Sequence, residues 1–277
     1  MAFRFLKKVA TLNPTANPAT ENNSHYIDQL SHIIGLVLRE PSLRARKIAI
    51  GTANEAKRSQ AIWQKLARSN PRQAKQLAND IDFTHLPQIA DYLNTSRRGA
   101  IFTGLHAGDY LLALLKLRSR LTTPRKIYVL RRKTASDLET QVFSHFNDTA
   151  IPIIVVRHGG NQTLSVVRAL RKGHFVTALF DLPESFGKVA KMQFLDHSMQ
   201  MVTGPAELAV MGRADLIPFT ANFCSGQSRA RFGPPVRATD VEHTAQKLCD
   251  FGSNYVYHNP EQWQHWFHVP EMLGASQ

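Results

Sequence analysis

The spacing of apolar residues changes character near Gly99. Upstream of it, Ile27, Leu30, Ile33, Ile34, Val37 and Leu38 recur at helical spacing as far as Pro41, and a second helix is predicted from Asn54 through Ile62, Trp63 and Leu66 to Asn70. Shorter helices centred on Leu77 and over Leu86 to Leu93 complete an all-helical section, 24–98, whose basic residues read as solvated helix faces. The stretch Leu12 to Asn23, rich in Pro, Asn, Thr and Ala, reads as a loose connection ahead of it. From Gly99 on, the apolar runs become too short for buried helices and alternate with amphipathic segments. Strands are predicted at Ile101–Phe102, Ile127–Leu130, Ile151–Val156 and Phe175–Phe180. Helices are predicted from Leu111, through Leu138, Val142 and Phe146, and over Gln162–Lys172, the last ended by Gly173. Val202–Gly212 and Val241–Tyr257 read as two further helices, and Leu216–Phe223 as a strand that Pro218 demotes toward a sheet edge. Strands alternating with helices predict an α/β fold: one mainly parallel sheet wrapped by helices, with the front section as an N-terminal helical cap. The expected organisation is a single domain, 1–277, with its α/β core over 99–268.

Composition narrows the function. With 43% hydrophobic residues the chain can bury a core unaided, and its two cysteines, Cys224 and Cys249, form neither a zinc pattern nor a disulfide framework. No run approaches the roughly 18 to 20 apolar residues of a spanning helix, and Met1 to Lys8 is too short in apolar core for a signal peptide, so a cytoplasmic protein is expected. The formal charge of +13 calls for an anionic partner: nucleic acid, anionic lipid or an acidic carrier protein. No finger, basic zipper or RNP-like strand supports nucleic acid. Phe3, Phe5, Leu6 and Val9 interleaved with Arg4, Lys7 and Lys8 suit docking at a lipid surface, and suit an ordinary frayed terminus equally.

Polar residues gather beside apolar runs in four places. His106 lies on a small-residue turn where the first strand of the core runs into a helix, the sheet end at which α/β proteins bind ligands. Asp109 comes three residues later, and if the helix has begun by His106 the carboxylate can orient the imidazole as a base for a hydroxyl. Asp181 and Glu184 stand in the turn after the fourth strand, able to bind a polar head group or assist His106, though an Asp-Pro type of turn explains them too. Arg131 and Arg132 end the second strand and Arg157 the third, where cations can clamp phosphates or form a solvated rim. Near the C-terminus, Tyr255, Tyr257, Trp263, Trp266 and Phe267 interleave with His258, His265 and His268. The aromatics read as a core lid. The histidine spacing lacks a completing carboxylate or cysteine, so no metal site is expected, and no glycine pattern of a nucleotide site is present.

Several of these segments together resemble one family. Thr103 to Tyr110, Thr-Gly-Leu-His-Ala-Gly-Asp-Tyr, resembles the first motif of the lysophospholipid acyltransferase superfamily in its lipid A late acyltransferase branch, His-x-Gly-Asn-Trp-Glu. Val167 to Asp181 resembles its Arg-Leu-x-x-Gly, strand, Asp segment, with Asp181 to Ser185 in the place of its Pro-Glu-Gly motif. Thr203 to Ala209 with Ile217-Pro218 resembles its Gly-Pro-Ala and Pro-strand piece, and Asn259 to Trp266 its Pro-Glu-Gln-Trp-x-Trp ending. The match covers about 99–268, in the family's order.

The resemblance implies transfer of an acyl group from a carrier-protein or coenzyme A thioester to a hydroxyl of a membrane lipid, with His106 as the base and an acid five residues later to orient it. That fifth position is Leu111. Asp109, Asp181 or Glu184 would have to stand in, or His106 would act without a carboxylate. This departure is similar to the branch's lipid A glycyltransferase member, which moves glycine from an acidic carrier protein onto lipid A. A fatty-acyl transferase and a non-enzymatic basic lipid- or nucleic-acid-binding protein are the alternatives. The implied donor is a phosphopantetheine-linked carrier thioester with no bound cofactor, the implied acceptor is lipid A, and the implied location is the cytoplasmic face of the inner membrane. Arg131, Arg132, Arg157 and Lys188 would attract these anionic reactants.

Overall fold

The computed structural model describes residues 23–131, 137–144, 153–157, 162–183 and 187–274. Four helices lead, α1 (Asn23–Leu38), α2 (Ser42–Arg68), α3 (Pro71–Asn79) and α4 (Leu86–Thr95), with a short strand β1 (Asp82–Thr84) between the last two. The core comprises β2 (Ala100–Gly104), α5 (Tyr110–Ser119), β3 (Ile127–Arg131), α6 (Asp137–Ser144), β4 (Ile153–Arg157), α7 (Gln162–Arg171) and β5 (Phe175–Thr177). Then come a hairpin, β6 (Val189–Phe194) and β7 (His197–Val202), α8 (Gly204–Gly212), and three strands, β8 (Asp215–Cys224), β9 (Gln227–Phe232) and β10 (Val236–Arg237). Helix α9 (Val241–His258), 3₁₀ turns at Pro260–Gln262 and Trp266–His268, and α10 (Val269–Met272) complete the chain.

The α/β expectation holds, with corrections of detail. Helix α2 begins at Ser42, not Asn54: in its first buried stripe, Ala45, Ile48, Ala49, Thr52 and Ala53, every residue but Ile48 is small or polar and gives little apolar signal. The front section also contributes a strand, β1, parallel to β9. The main sheet runs β1-β9-β8-β2-β5-β3-β4, with β10 on β8; β2, β5, β3 and β4 pair in parallel, and β8 joins β2 in the same sense.

Strand β8 is therefore internal, against the expectation from Pro218. The proline carbonyl accepts from the Gly233 amide, so its missing N–H faces the same side, between the end of β9 opposite Phe219 and the start of β10 opposite Leu216. No ladder bond is lost there, and the proline is tolerated.

Helices cover both faces of the sheet. Ile101, Val176 and Leu216 point into a core shared with α1, the first half of α2, α7, α8 and α9. Phe102, Phe175, Ile217 and Phe219 point the other way, against the end of α2 and helices α3, α4, α5 and α6. Strand β2, buried at every position, is thus pinned between two cores, and its carboxyl end is a rigid base for the turn beyond it.

That turn carries His106. The register of β2 on β5 pairs Ala100 with Phe175, Ile101 with Val176 and Phe102 with Thr177. Backbone bonds from Ala178 to Phe102 and from Phe180 to Gly104 carry that register past the strand ends. Continued at the same offset, it sets Asp181 beside His106.

Candidate functional site

Asp181 reaches His106 with both oxygens. Its Oδ1 lies 2.7 Å from His106 Nδ1, and its Oδ2 accepts the His106 backbone N–H at 2.7 Å. The Oδ2 atom also accepts Trp263 Nε1 at 2.9 Å. Trp263 arrives because the C-terminal segment lies along the turn: Ala107 bridges Trp263 and the Gln264 amide donates to the His106 carbonyl. The same segment delivers His265, whose Nδ1 donates to the Asp181 backbone carbonyl at 2.8 Å. Its ring stacks on that of His106 with centroids 4.0 Å apart.

These contacts fix protons. A carboxylate and a carbonyl oxygen only accept, so both imidazoles carry hydrogen on Nδ1 and turn a bare Nε2 away from Asp181 when neutral. No hydrogen bond among the described residues engages either Nε2, and the two side chains are 18% and 15% exposed. Asp181 is fully buried. Burial alone would raise its pKa, yet the nearby histidines and the hydrogen bonds from His106 hold it well below the usual carboxylate range. Burial, and next the proximity of His106, push His265 down to about 3. The site is a permanently ionised carboxylate under two stacked imidazoles, the arrangement of an oriented general base.

Acidification should work against the fold here. Both groups have depressed pKa values in the folded protein, so the unfolded chain binds more protons, His265 from about pH 6.5 downward and Asp181 from about pH 4. Denaturant unfolding is expected to show stability falling as pH drops below about 6.5, with a shallower decline between about pH 6.5 and 5 in His265→Phe.

Asp109, proposed as a partner of His106, lies elsewhere. Gly108 adopts φ +51°, helix α5 starts only at Tyr110, and this break in phase carries the Asp109 carboxylate away from the imidazole. Its Oδ2 accepts Arg58 Nη1 at 2.8 Å and the Ser228 hydroxyl. Arg58 in turn binds Glu55 and lies 4.1 Å over the Phe223 ring. Arg58 thus corrects the expectation that the basic residues of the front helices are merely solvated. It ties α2 to the start of α5 and to the β8–β9 hairpin. Arg58→Ala would strand a buried carboxylate, and denaturant unfolding is expected to show a loss of about 3 kcal/mol.

The other expected residues divide. Arg131 and Arg157 are opposite each other at the carboxyl ends of β3 and β4, the sheet end that carries His106. Arg132 and Glu184 lie outside the described residues. Lys188 is 78% exposed and pairs with Glu207 at 3.3 Å. Trp263, Trp266 and Tyr255 are buried, as a core lid requires, whereas Tyr257 is exposed and donates its hydroxyl to Asp196. His265 is the residue sequence reasoning missed, since its completing carboxylate comes from the segment after β5, not from its own neighbourhood. His106, Asp181 and His265 bring potential ligand atoms within 4.8 Å of one another, but Asp181 already takes the Nδ1 hydrogens of both rings.

The profile of the bacterial lipid A biosynthesis acyltransferases matches residues 45–269, a span that includes this whole site. The chain belongs to that family. No curated protein matches it. The family transfers acyl groups to lipid A. Leu111, which stands where the first motif has its acid, is buried in the hydrophobic core in the first turn of α5. The carboxylate on His106 comes instead from beyond the end of the neighbouring strand. No described helix is long and apolar enough to cross a membrane.

Proposed function

We propose that this member of the family transfers an aminoacyl group, glycyl, from the phosphopantetheine thioester of a small acidic carrier protein to a hydroxyl of lipid A. His106 Nε2 takes the hydroxyl proton as the oxygen attacks the thioester carbonyl carbon. The tetrahedral adduct collapses, the carbon–sulfur bond breaks, and the departing sulfur takes the proton from His106. The products are the lipid ester and the free carrier thiol. Asp181 stays ionised throughout, keeping the Nδ1–H tautomer and stabilising the imidazolium that forms.

The observation that carries the base assignment is the buried Asp181 carboxylate at 2.7 Å from His106 Nδ1. For the aminoacyl donor, support comes from the departure at Leu111 and from the second imidazole, His265, which makes the neighbourhood of the base polar. The charge of +13 suits two anionic reactants, an acidic carrier and a phosphorylated glycolipid. In this reading the protein works as a peripheral enzyme at the cytoplasmic face of the inner membrane, where cations are drawn to anionic headgroups.

The test uses purified protein, lipid A in detergent and a carrier loaded with either glycyl or a fatty acyl group. Intact-mass measurement should show the glycyl carrier discharged only when lipid A is present. Discharge of the fatty-acyl carrier alone would assign the protein to conventional acylation.

A further inference from the structure

We propose that His265 selects the donor: its Nε2 accepts a hydrogen bond from the α-ammonium of the aminoacyl thioester while His106 deprotonates the attacking hydroxyl. This rests on the aminoacyl reading above and names the residue that enforces it.

The tautomer decides what His265 can offer. Its Nδ1 donates to the Asp181 carbonyl at 2.8 Å, so in the neutral ring Nε2 has a lone pair and no hydrogen. The ring is held flat against His106, with centroids 4.0 Å apart and planes 20° from parallel, and Trp263 and the Gln264 amide fix the segment that carries it. His265 is therefore a preset acceptor beside the base, not a second base in waiting.

The spacing suits a glycyl group. Attack requires the thioester carbonyl carbon to lie about 3 to 3.5 Å from the hydroxyl oxygen that His106 holds. In a glycyl unit the nitrogen is two bonds from that carbon, about 2.5 Å away by ordinary N–Cα–C geometry. A step of that size from the carbon reaches toward the neighbouring ring on the scale of the stacking distance. The Asp181 carboxylate, 3.8 Å from His265 Nδ1, adds a negative charge that favours an ammonium there.

A propionyl group has the same shape as glycyl but places a methyl where the ammonium would be. It offers Nε2 no donor, and a polar atom left unpaired in a closed site is what gives hydrogen-bonding pockets their strong discrimination. The expected preference for glycyl over propionyl, both on the same carrier, is about 10²-fold in kcat/KM.

The experiment compares these two donors with wild type and with His265→Phe, which keeps a stacking ring and removes the acceptor. The preference should collapse to near unity in the variant, mainly through slower glycyl transfer. Wild type that favours propionyl overturns the aminoacyl reading itself. Wild type that favours glycyl, with the preference intact in the variant, overturns the role of His265 and leaves that reading standing. A measurement on the unaltered protein guards against a variant that fails to fold: nitrogen-15 spectra of labelled histidine with amide-linked, non-transferable pantetheine analogues. The glycyl analogue should move the His265 Nε2 signal and the propionyl analogue should not. Equal responses to both, or to neither, contradict the assignment.

Discussion

Asp181→Asn should lower the transfer rate about 10³- to 10⁴-fold while the protein stays folded. The reason lies in how unequally the two carboxylate oxygens are used. Oδ2 accepts two N–H groups, from the His106 backbone and Trp263, whereas among the described residues Oδ1 bonds only His106 Nδ1. An amide placed there keeps its oxygen where two donors converge and turns its NH₂ toward the imidazole. Nδ1 then has to accept, the ring proton moves to Nε2, and the nitrogen meant to take the hydroxyl proton is already occupied. Steady-state kinetics with a loaded carrier measure the loss, and nitrogen-15 spectra of His106 would show the exchanged tautomer. A variant with wild-type turnover would remove Asp181 from the mechanism. Asp109→Asn gives the contrast: its carboxylate binds Arg58 and Ser228, so the change should register in stability before it registers in the pH dependence of turnover.

His106→Ala carries the second large effect. General acid–base catalysis typically contributes about 10²- to 10⁴-fold, and loss of the base should cost at least the upper part of that range, since no other unprotonated nitrogen among the described residues occupies its position. His265 does not substitute for it. Its Nδ1 bond to the Asp181 carbonyl holds its ring in its own place, and burial, the largest cause of its low basicity, still acts when the second cause, His106, is removed. The His106 ring is stacked on His265 and edge-on to Tyr110 at 5.7 Å, and its truncation leaves Oδ1 of the buried Asp181 without its partner, so a melting temperature lower by roughly 5 to 10 °C is expected beside the loss of turnover. Retained turnover in a folded His106→Ala protein would leave the site without its central element.

Much of this architecture is written in local pattern. The change of period near Gly99, the short apolar runs and the turn bearing His106 point to an α/β sheet with chemistry at its carboxyl edge, and both His106 and Asp181 stand at strand ends in the sequence. Their partnership is not local. It depends on β2 and β5 being neighbours in one register, although α5, β3, α6, β4 and α7 separate them along the chain. The same distance hides His265, which joins the site only because the C-terminal segment lies along the His106 turn.

Other features are hidden by atypical residues. The β6–β7 turn places Leu195 and Asp196 at positive φ, where glycine or asparagine would have announced a hairpin. Strand β9 likewise lies outside the predicted elements, although Ser225-Gly226 before the alternating Gln227 to Phe232 is a hairpin signal. On α2 the inward stripe includes Thr52, Glu55 and Ser59, which reads as solvated until Arg58, Asp109 and Ser228 supply partners. Asp109 misleads in the opposite sense, since spacing suggested a helical pair and one glycine at φ +51° undid it.

Two facts remain central: what is added to lipid A, and whether His106 adds it. Mass spectrometry of lipid A from cells expressing this chain, compared with cells expressing His106→Ala, reads both at once. A gain of one glycyl residue that disappears in the variant is expected; a gain of a fatty acyl chain, or a glycyl gain that persists without His106, would contradict the proposed transfer.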